Sequence, residues 1–295
     1  MKATQARAVL TGATGGIGRE AASALLQAGA SVMLVGRSPA RLSKQARELS
    51  SSIALAPGRV SWHAADLDDG AAVDRLREAA VGFGANVLVL GAGLPSFGRF
   101  DSLDPVEMRQ VLQANLLSPM LLAHALLPGL RRQAKAQVIC MGSALGRIGL
   151  PGYSVYSASK FGLRGFAEAL RRELADTAVR VQYLGPRSTR TAFNDARVEA
   201  YNLATGTAMD DPERVAKALL RLLEDEAAER FIGFPEALAV RLNGFAPAWL
   251  DAAFAPHRRS LPGTSLGSGG TGGTSGTGAP LAPSFSDLSS TNPES

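Results

Sequence analysis

Cysteine is nearly missing from this chain. The single copy, Cys140, excludes an internal disulfide framework and a cysteine-rich metal site. Histidine is scarce as well. His63, His124 and His257 lie far apart, which argues against a histidine-built centre, and no metal is expected. No uninterrupted apolar run approaches the roughly 20 residues of a membrane-spanning helix. The opening MKATQARAVLTG has no apolar stretch before its first glycine, so no secretory signal is expected. These absences together lead to the expectation of a soluble, cytoplasmic protein.

Charge is modest, at 19% of residues, and slightly basic, with 31 Lys and Arg against 26 Asp and Glu. The only charges after Arg259 are Asp287 and Glu294. Setting those two acidic residues aside raises the net charge of the preceding part from +5 to +7. The basic residues do not gather in one run, so no nucleic-acid partner is expected, whereas a phosphorylated cofactor suits the balance. Composition shifts near residue 260. Of the last 36 residues 8 are Gly and 9 are Ser, too little apolar surface to offset the entropy of ordering. The expected organisation is one folded domain over 1–259 and a disordered Gly/Ser/Thr/Pro-rich tail over 260–295. The tail is either without a specific partner or a linker to a short motif around Phe285 and Leu288.

Hydrophobic residues make up 46% of the chain, enough for a large core. Short aliphatic runs at Ala8–Thr11, Ser31–Val35, Val60–His63, Val87–Leu90, Gln137–Met141, Val179–Leu184 and Arg230–Gly233 read as strands. Helical patterns cover Glu20–Ala28, Ala71–Val81, Pro105–Arg132, Ser157–Asp176 and Pro212–Glu226. Pro119 is expected to bend the long third helix and Pro128 to end it. This alternation predicts an α/β fold: a doubly wound, mostly parallel, seven-stranded sheet with helices on both faces, the Rossmann architecture.

The first strand runs into Thr11-Gly12-Ala13-Thr14-Gly15-Gly16-Ile17-Gly18 and then a helix. Glycines there permit a tight turn and close approach of backbone to a pyrophosphate, and the helix start offers free N–H groups. Thr11, Gly12, Thr14, Gly15, Gly16, Ile17 and Gly18 are therefore candidate cofactor contacts. Two glycine spacings fit, Gly12/Gly16/Gly18 and Gly12/Gly15/Gly18. The second strand ends in Gly36-Arg37-Ser38, without the carboxylate that would bind an adenosine ribose and repel a 2′-phosphate. Arg37 and Ser38 can hold such a phosphate, so NADP(H) is expected ahead of NAD(H).

Tyr156 and Lys160 are four residues apart and share a face if the segment is helical, and Ser143 precedes Tyr156 by 13 residues at a strand end. Reducing a ketone takes hydride at carbon and a proton at oxygen. A tyrosine is a weak acid–base group near neutral pH, since its ordinary pKa is about 10. A neighbouring ammonium and the positive charge of a nicotinamide are expected to lower it. Ser143 is placed to stabilise charge on the substrate oxygen.

Over about residues 5–235 the chain resembles the short-chain dehydrogenase/reductase family, in its compact single-domain reductases. The resemblance implies an oxidoreductase acting on a small carbonyl or alcohol, with Ser143, Tyr156 and Lys160 as the catalytic set. It adds Asn115 as the anchor of a proton relay and assigns Tyr156 and Lys160 to the cofactor as well. It further implies cofactor contacts at Asp66, Leu67, Gly91, Ala92, Gly93, Pro186 and Thr191, and a homo-oligomer. The Ser–Tyr spacing and Asn115 favour this branch over sugar-nucleotide epimerases and dehydratases. A sensor that binds NADP(H) without turnover is the other alternative.

Two motifs depart from the family pattern. Leu90-Gly91-Ala92-Gly93 lacks the usual paired asparagines, which leaves packing to hold that region. Arg187 follows Pro186 where a glycine is usual, either to meet an anion or to face solvent. Ser188–Asp211 reads as a mobile substrate loop with Phe193, Tyr201 and Met209 as wall residues. Leu145, Ile148, Leu150 and Tyr153 suggest an apolar pocket mouth and a hydrophobic substrate. The apolar segment 236–259, with Trp249 and Phe254 before Arg258 and Arg259, either covers the pocket or an oligomer interface, or makes peripheral membrane contact.

Overall fold

In the computed structural model, residues 1–53, 56–233, 251 and 254–262 are described; all belong to one unit, Met1–Gly263. Seven strands form one parallel sheet: β1 (Arg7–Thr11), β2 (Ser31–Gly36), β3 (Val60–Ala64), β4 (Val87–Leu90), β5 (Ala136–Met141), β6 (Val179–Gly185) and β7 (Glu229–Phe231). Their order is β3-β2-β1-β4-β5-β6-β7. The chain reverses its direction of travel between β1 and β4, so a crevice opens beyond the carboxyl ends of these neighbours.

Among the described residues the α-helices are α1 (Gly16–Gln27), α2 (Pro39–Ser52), α3 (Gly70–Phe83), α4 (Pro105–Leu112), α5 (Ser118–Arg131), α6 (Ser154–Glu173), α7 (Ala196–Ala204), α8 (Pro212–Asp225) and α9 (Ala255–Arg259). Because side chains alternate along a strand, β1 feeds both cores. Ala8 and Leu10 pack with Leu25 of α1, Leu42 of α2 and Leu219 of α8, whereas Val9 packs with Leu76 of α3, Leu122 of α5 and Leu163 of α6. Burial on both faces explains why the central strands are continuous apolar runs.

Several expectations need correction. Helix α2 has no counterpart in the sequence reading, although Ser38 caps it and Pro39 opens it. The segment 188–211 contains a regular helix, α7, capped by Asp195. The long third helix is interrupted by a π-turn, Gln113–Leu117, ahead of Pro119, and Pro128 sits inside α5 rather than at its end. The stretch Pro105–Arg131 is long and apolar enough to span a membrane by length and composition. In this fold Leu122, Leu126 and Leu130 of α5 are buried in the core. Most of the expected 236–259 segment, and the tail beyond Pro262, lie outside the described residues.

Candidate active site

The glycine turn is shaped by contacts that leave no room for side chains. Gly12 has φ +67°, and a Cβ there would stand 2.5 Å from the Gly91 carbonyl oxygen. A Cβ on Gly18 would stand 2.2 Å from the carbonyl oxygen of Gly12. Gly18→Ala is expected to cost about 1–3 kcal/mol through this overlap. A lowered thermal midpoint is the readout, and an unchanged midpoint would show that the turn has room.

Helix α1 has Gly15 as its N-cap and so no side-chain cap, leaving its first N–H groups for an anion. That uncapped start and the glycine-lined cradle fit a dinucleotide pyrophosphate. The turn is fastened from α2: Gln45 Nε2 donates to the Ala13 carbonyl at 3.0 Å and Arg41 Nη2 to the Thr14 carbonyl at 2.9 Å.

Arg37 is exposed at the end of β2. The Ser38 hydroxyl accepts from the Arg41 N–H at 3.4 Å, which leaves its own O–H to donate. Arg41 was missed in the sequence. Its signal is position, one helical turn after Arg37, and it became visible only with α2. Asp66 is exposed just beyond β3, its carboxylate bonded to the Asp68 N–H at 3.2 Å, and Leu67 packs on the core.

The region lacking the paired asparagines is not held by packing alone. The Thr11 hydroxyl donates to the Val89 carbonyl at 3.2 Å and accepts from the N–H groups of Gly91 and Ala92 at 2.9 and 3.1 Å. Gly93 lies beside Asn115, whose Oδ1 would stand 2.9 Å from a Cβ at Gly93, with Lys160 Nζ at 3.8 Å. Asn115 is fully buried on the π-turn, a helix irregularity common at functional sites. Its Oδ1 accepts from the Leu94 N–H at 2.7 Å. Its Nδ2 donates to the Leu94 carbonyl at 2.9 Å and to Ser159 Oγ at 3.2 Å. Ser159 in turn donates to the Tyr156 carbonyl at 2.6 Å, linking the π-turn to the first turn of α6.

Helix α6 begins at Ser154, so Tyr156 and Lys160 do lie one turn apart. Lys160 Nζ is 5.6 Å from the Tyr156 ring centroid and donates to the Met141 carbonyl at 3.2 Å. The Ser143 side chain lies close enough to the Tyr156 hydroxyl to favour its ionised form. Ser143 is itself held by Tyr183, a buried residue of β6 that the sequence reading passed over. The Ser143 N–H donates to the Tyr183 hydroxyl at 3.0 Å, and that hydroxyl donates to the Ser143 carbonyl at 2.9 Å. Gly142 and Gly146 make room for this ring: a Cβ at either would fall within about 2 Å of it. A buried tyrosine hydroxyl needs a partner, and the two glycines around Ser143 were the available sign.

Burial pushes the Tyr156 phenol up to about 12, opposed by the Ser143 side chain. Burial also pushes Lys160 down to about 8, against a smaller upward effect of Cys140. The expected lowering of Tyr156 does not set the direction of its shift in the protein itself, where loss of hydration is the largest influence.

Pro186 accepts from the Ala144 N–H at 2.8 Å, next to Ser143. Thr191 packs against Gly16, with its Cγ2 2.5 Å from where a Cβ would stand. Arg187 does not stand free in solvent; it pairs with buried Asp210 at 2.9 Å. The flank of Tyr156 is aromatic. Tyr153 and Phe193 lie 6.3 and 6.1 Å from its ring, and Phe97 and Tyr201 pack behind Tyr153.

Residues 6–202 match the family model described as short chain dehydrogenase. A Bos taurus protein named dehydrogenase/reductase SDR family member 7B is 32% identical over 266 residues, covering 85% of this chain and 81% of the bovine protein. Nodulation protein G of Rhizobium sp. (strain N33) is 32% identical over 76% of this chain and 92% of its own length. Among solved structures, an alcohol dehydrogenase from Thermococcus sibiricus complexed with 5-hydroxy-NADP matches with TM-score 0.67 and 25% identity, covering 77% of this chain and 95% of that one. An NADPH-bound short chain oxidoreductase from Pseudomonas aeruginosa PAO1 has the same fold, with TM-score 0.70 and 24% identity over 78% and 95% of the two chains. The chain belongs to the short-chain dehydrogenase/reductase family, whose members are oxidoreductases that bind a nicotinamide cofactor.

Proposed function

We propose that this protein is an NADP(H)-dependent oxidoreductase that interconverts a hydrophobic carbonyl compound and its alcohol. The observation that carries the reading is the convergence of Ser143, Tyr156 and Lys160 beside the glycine cradle, braced by Asn115 through Ser159. The cofactor, when bound, supplies or takes up the hydride. Tyr156 gives its phenolic proton to the substrate oxygen in reduction and takes it back in oxidation. Ser143 donates a hydrogen bond to the same oxygen as negative charge develops there. Lys160 would hold the nicotinamide ribose and, with Asn115 as anchor, return a proton to Tyr156.

NADP(H) is supported by Arg37, Ser38 and Arg41 clustered at the end of β2, where no carboxylate stands. A hydrophobic substrate is supported by the aromatic flank of Tyr156. The name of a relative in Nostoc sp., ketoacyl reductase HetN, 29% identical over 75% of this chain, is in keeping with reduction of a carbonyl. Self-association is supported by exposed Leu112, Leu117, Leu121 and Phe161 on α4–α6 and the π-turn.

The test is NADPH consumption against ketosteroids, 3-oxoacyl thioesters, quinones and aldehydes. Turnover of at least one class is expected. NADPH binding without turnover of any of them would favour the sensor reading instead.

A further inference from the structure

Segment 188–211 leaves the sheet after β6 and returns to start α8, so its two ends meet. They meet tightly. Thr189 and Asp210 form a parallel backbone bridge, Asp210 N–H donates to the Ser188 carbonyl at 2.9 Å, and Arg190 N–H donates to the Asp210 carbonyl at 2.9 Å. Across this neck the Asp210 carboxylate, with 2% of its side chain exposed, receives Arg187 from one end of the excursion and Arg214 from the other. Both guanidinium groups converge on Oδ1 at 2.9 Å. Arg187 is itself only 11% exposed.

A buried ion pair loses hydration on both sides and seldom adds much net stability, but it penalises any conformation that separates its members. What this one fixes bears on the site. Arg187 follows Pro186, whose carbonyl holds the Ala144 N–H beside Ser143. Beyond the neck, Thr191 packs on Gly16 at the start of α1, and Phe193 packs on Tyr156. Opening the neck would move both walls away from the reacting groups.

We propose that Arg187 is a positioning residue: by pairing with Asp210 it locks the neck of the 188–211 excursion shut and presents Thr191 and Phe193 to cofactor and substrate as a preformed wall. The proposal rests on the oxidoreductase reading for its kinetic part only. Since the neck is closed in advance, binding does not have to order it, and the benefit is read in KM rather than in kcat.

The experiment compares full-length wild type, Arg187→Gly, Arg187→Lys and Asp210→Asn by steady-state kinetics with NADPH and by limited trypsin cleavage. The exposed Arg190 and Arg197 place trypsin sites inside the excursion. Arg187→Gly is expected to raise substrate KM about tenfold with kcat changed by less than about twofold. Cleavage within 190–197 is expected to speed up by about the same factor while the remainder of the chain stays intact. Arg187→Lys is expected to recover most of both effects. Asp210→Asn, nearly the same shape, repeats the test if the glycine variant does not fold. Unchanged KM and unchanged cleavage in both Arg187→Gly and Asp210→Asn would overturn the proposal. So would loss of kcat, without a rise in KM, that lysine does not recover. If the wild type reduces no carbonyl, the oxidoreductase reading fails, and the cleavage contrast still decides the clamp.

Discussion

Replacing Tyr156 with phenylalanine is expected to slow carbonyl reduction by about 10²–10⁴-fold while leaving NADPH binding nearly unchanged. Phenylalanine keeps the ring against Tyr153 and Phe193 and removes only the hydroxyl. Burial holds that phenol at about 12, so it carries its proton throughout the neutral range and is loaded as an acid for reduction. Lys160, pushed down to about 8, is charged below that value and neutral above it. The reduction rate is therefore expected to hold through neutral pH and to fall as pH rises through about 8, well before the phenol itself titrates. A pH profile of kcat/KM in the reducing direction checks the order of the two groups. Tyr156→Phe retaining ordinary turnover would remove Tyr156 from proton transfer altogether.

The sheet was legible because parallel strands covered on both faces must be apolar throughout. Each run read as a strand, from Ala8–Thr11 to Arg230–Gly233, lies on or within a few residues of an observed strand. Helix α2 was not legible for the opposite reason. Its apolar face consists of Leu42, Ala46 and Leu49 among Arg, Lys, Gln and Ser, a narrow stripe on a polar segment. Helix α7 is short and its buried face includes Asn202 and Tyr201, so loop-like composition concealed it. The π-turn at Gln113–Leu117 has no periodic signature of its own. Pro119 drew attention to a bend, but the irregularity lies one turn earlier, around buried Asn115.

The candidate site was legible as a set of residue types at fixed spacing and not as a set of supports. Ser143, Tyr156, Lys160 and Asn115 stand out in one dimension. Tyr183 behind Ser143, Ser159 between Asn115 and Tyr156, and Asp210 opposite Arg187 are contacts made across 40, 44 and 23 residues. Long-range partners of this kind are set by the sheet order, which brings β5 beside β6 and the end of β4 beside α6. Arg187 shows the difference most directly. Beside Pro186 it read as an anion contact or a solvent-facing residue, and only the fold shows that a carboxylate from the far end of the same excursion meets it.

Cofactor choice gives the other large effect. Arg37→Asp is expected to lower the preference for NADPH over NADH, taken as the ratio of kcat/KM values, by about a hundredfold. Removing one member of a buried, hydrogen-bonded charge pair costs about 2–5 kcal/mol. Arg37 is exposed, so solvent screening places its own share at or below the low end of that range. The carboxylate introduced at the end of β2 adds repulsion of a 2′-phosphate and an acceptor for the free ribose hydroxyls of NADH. Arg41 separates two ways the cluster can work. Its guanidinium is bonded to the Thr14 carbonyl at 2.9 Å, so it holds the turn whether or not it also meets a phosphate. If it only braces the turn, Arg41→Ala weakens NADPH and NADH alike and leaves the ratio intact. If it meets the phosphate, the ratio falls and the loss in NADPH affinity shrinks at high salt. An unchanged ratio in Arg37→Asp would remove NADP(H) selectivity from the end of β2, whatever Arg41 does.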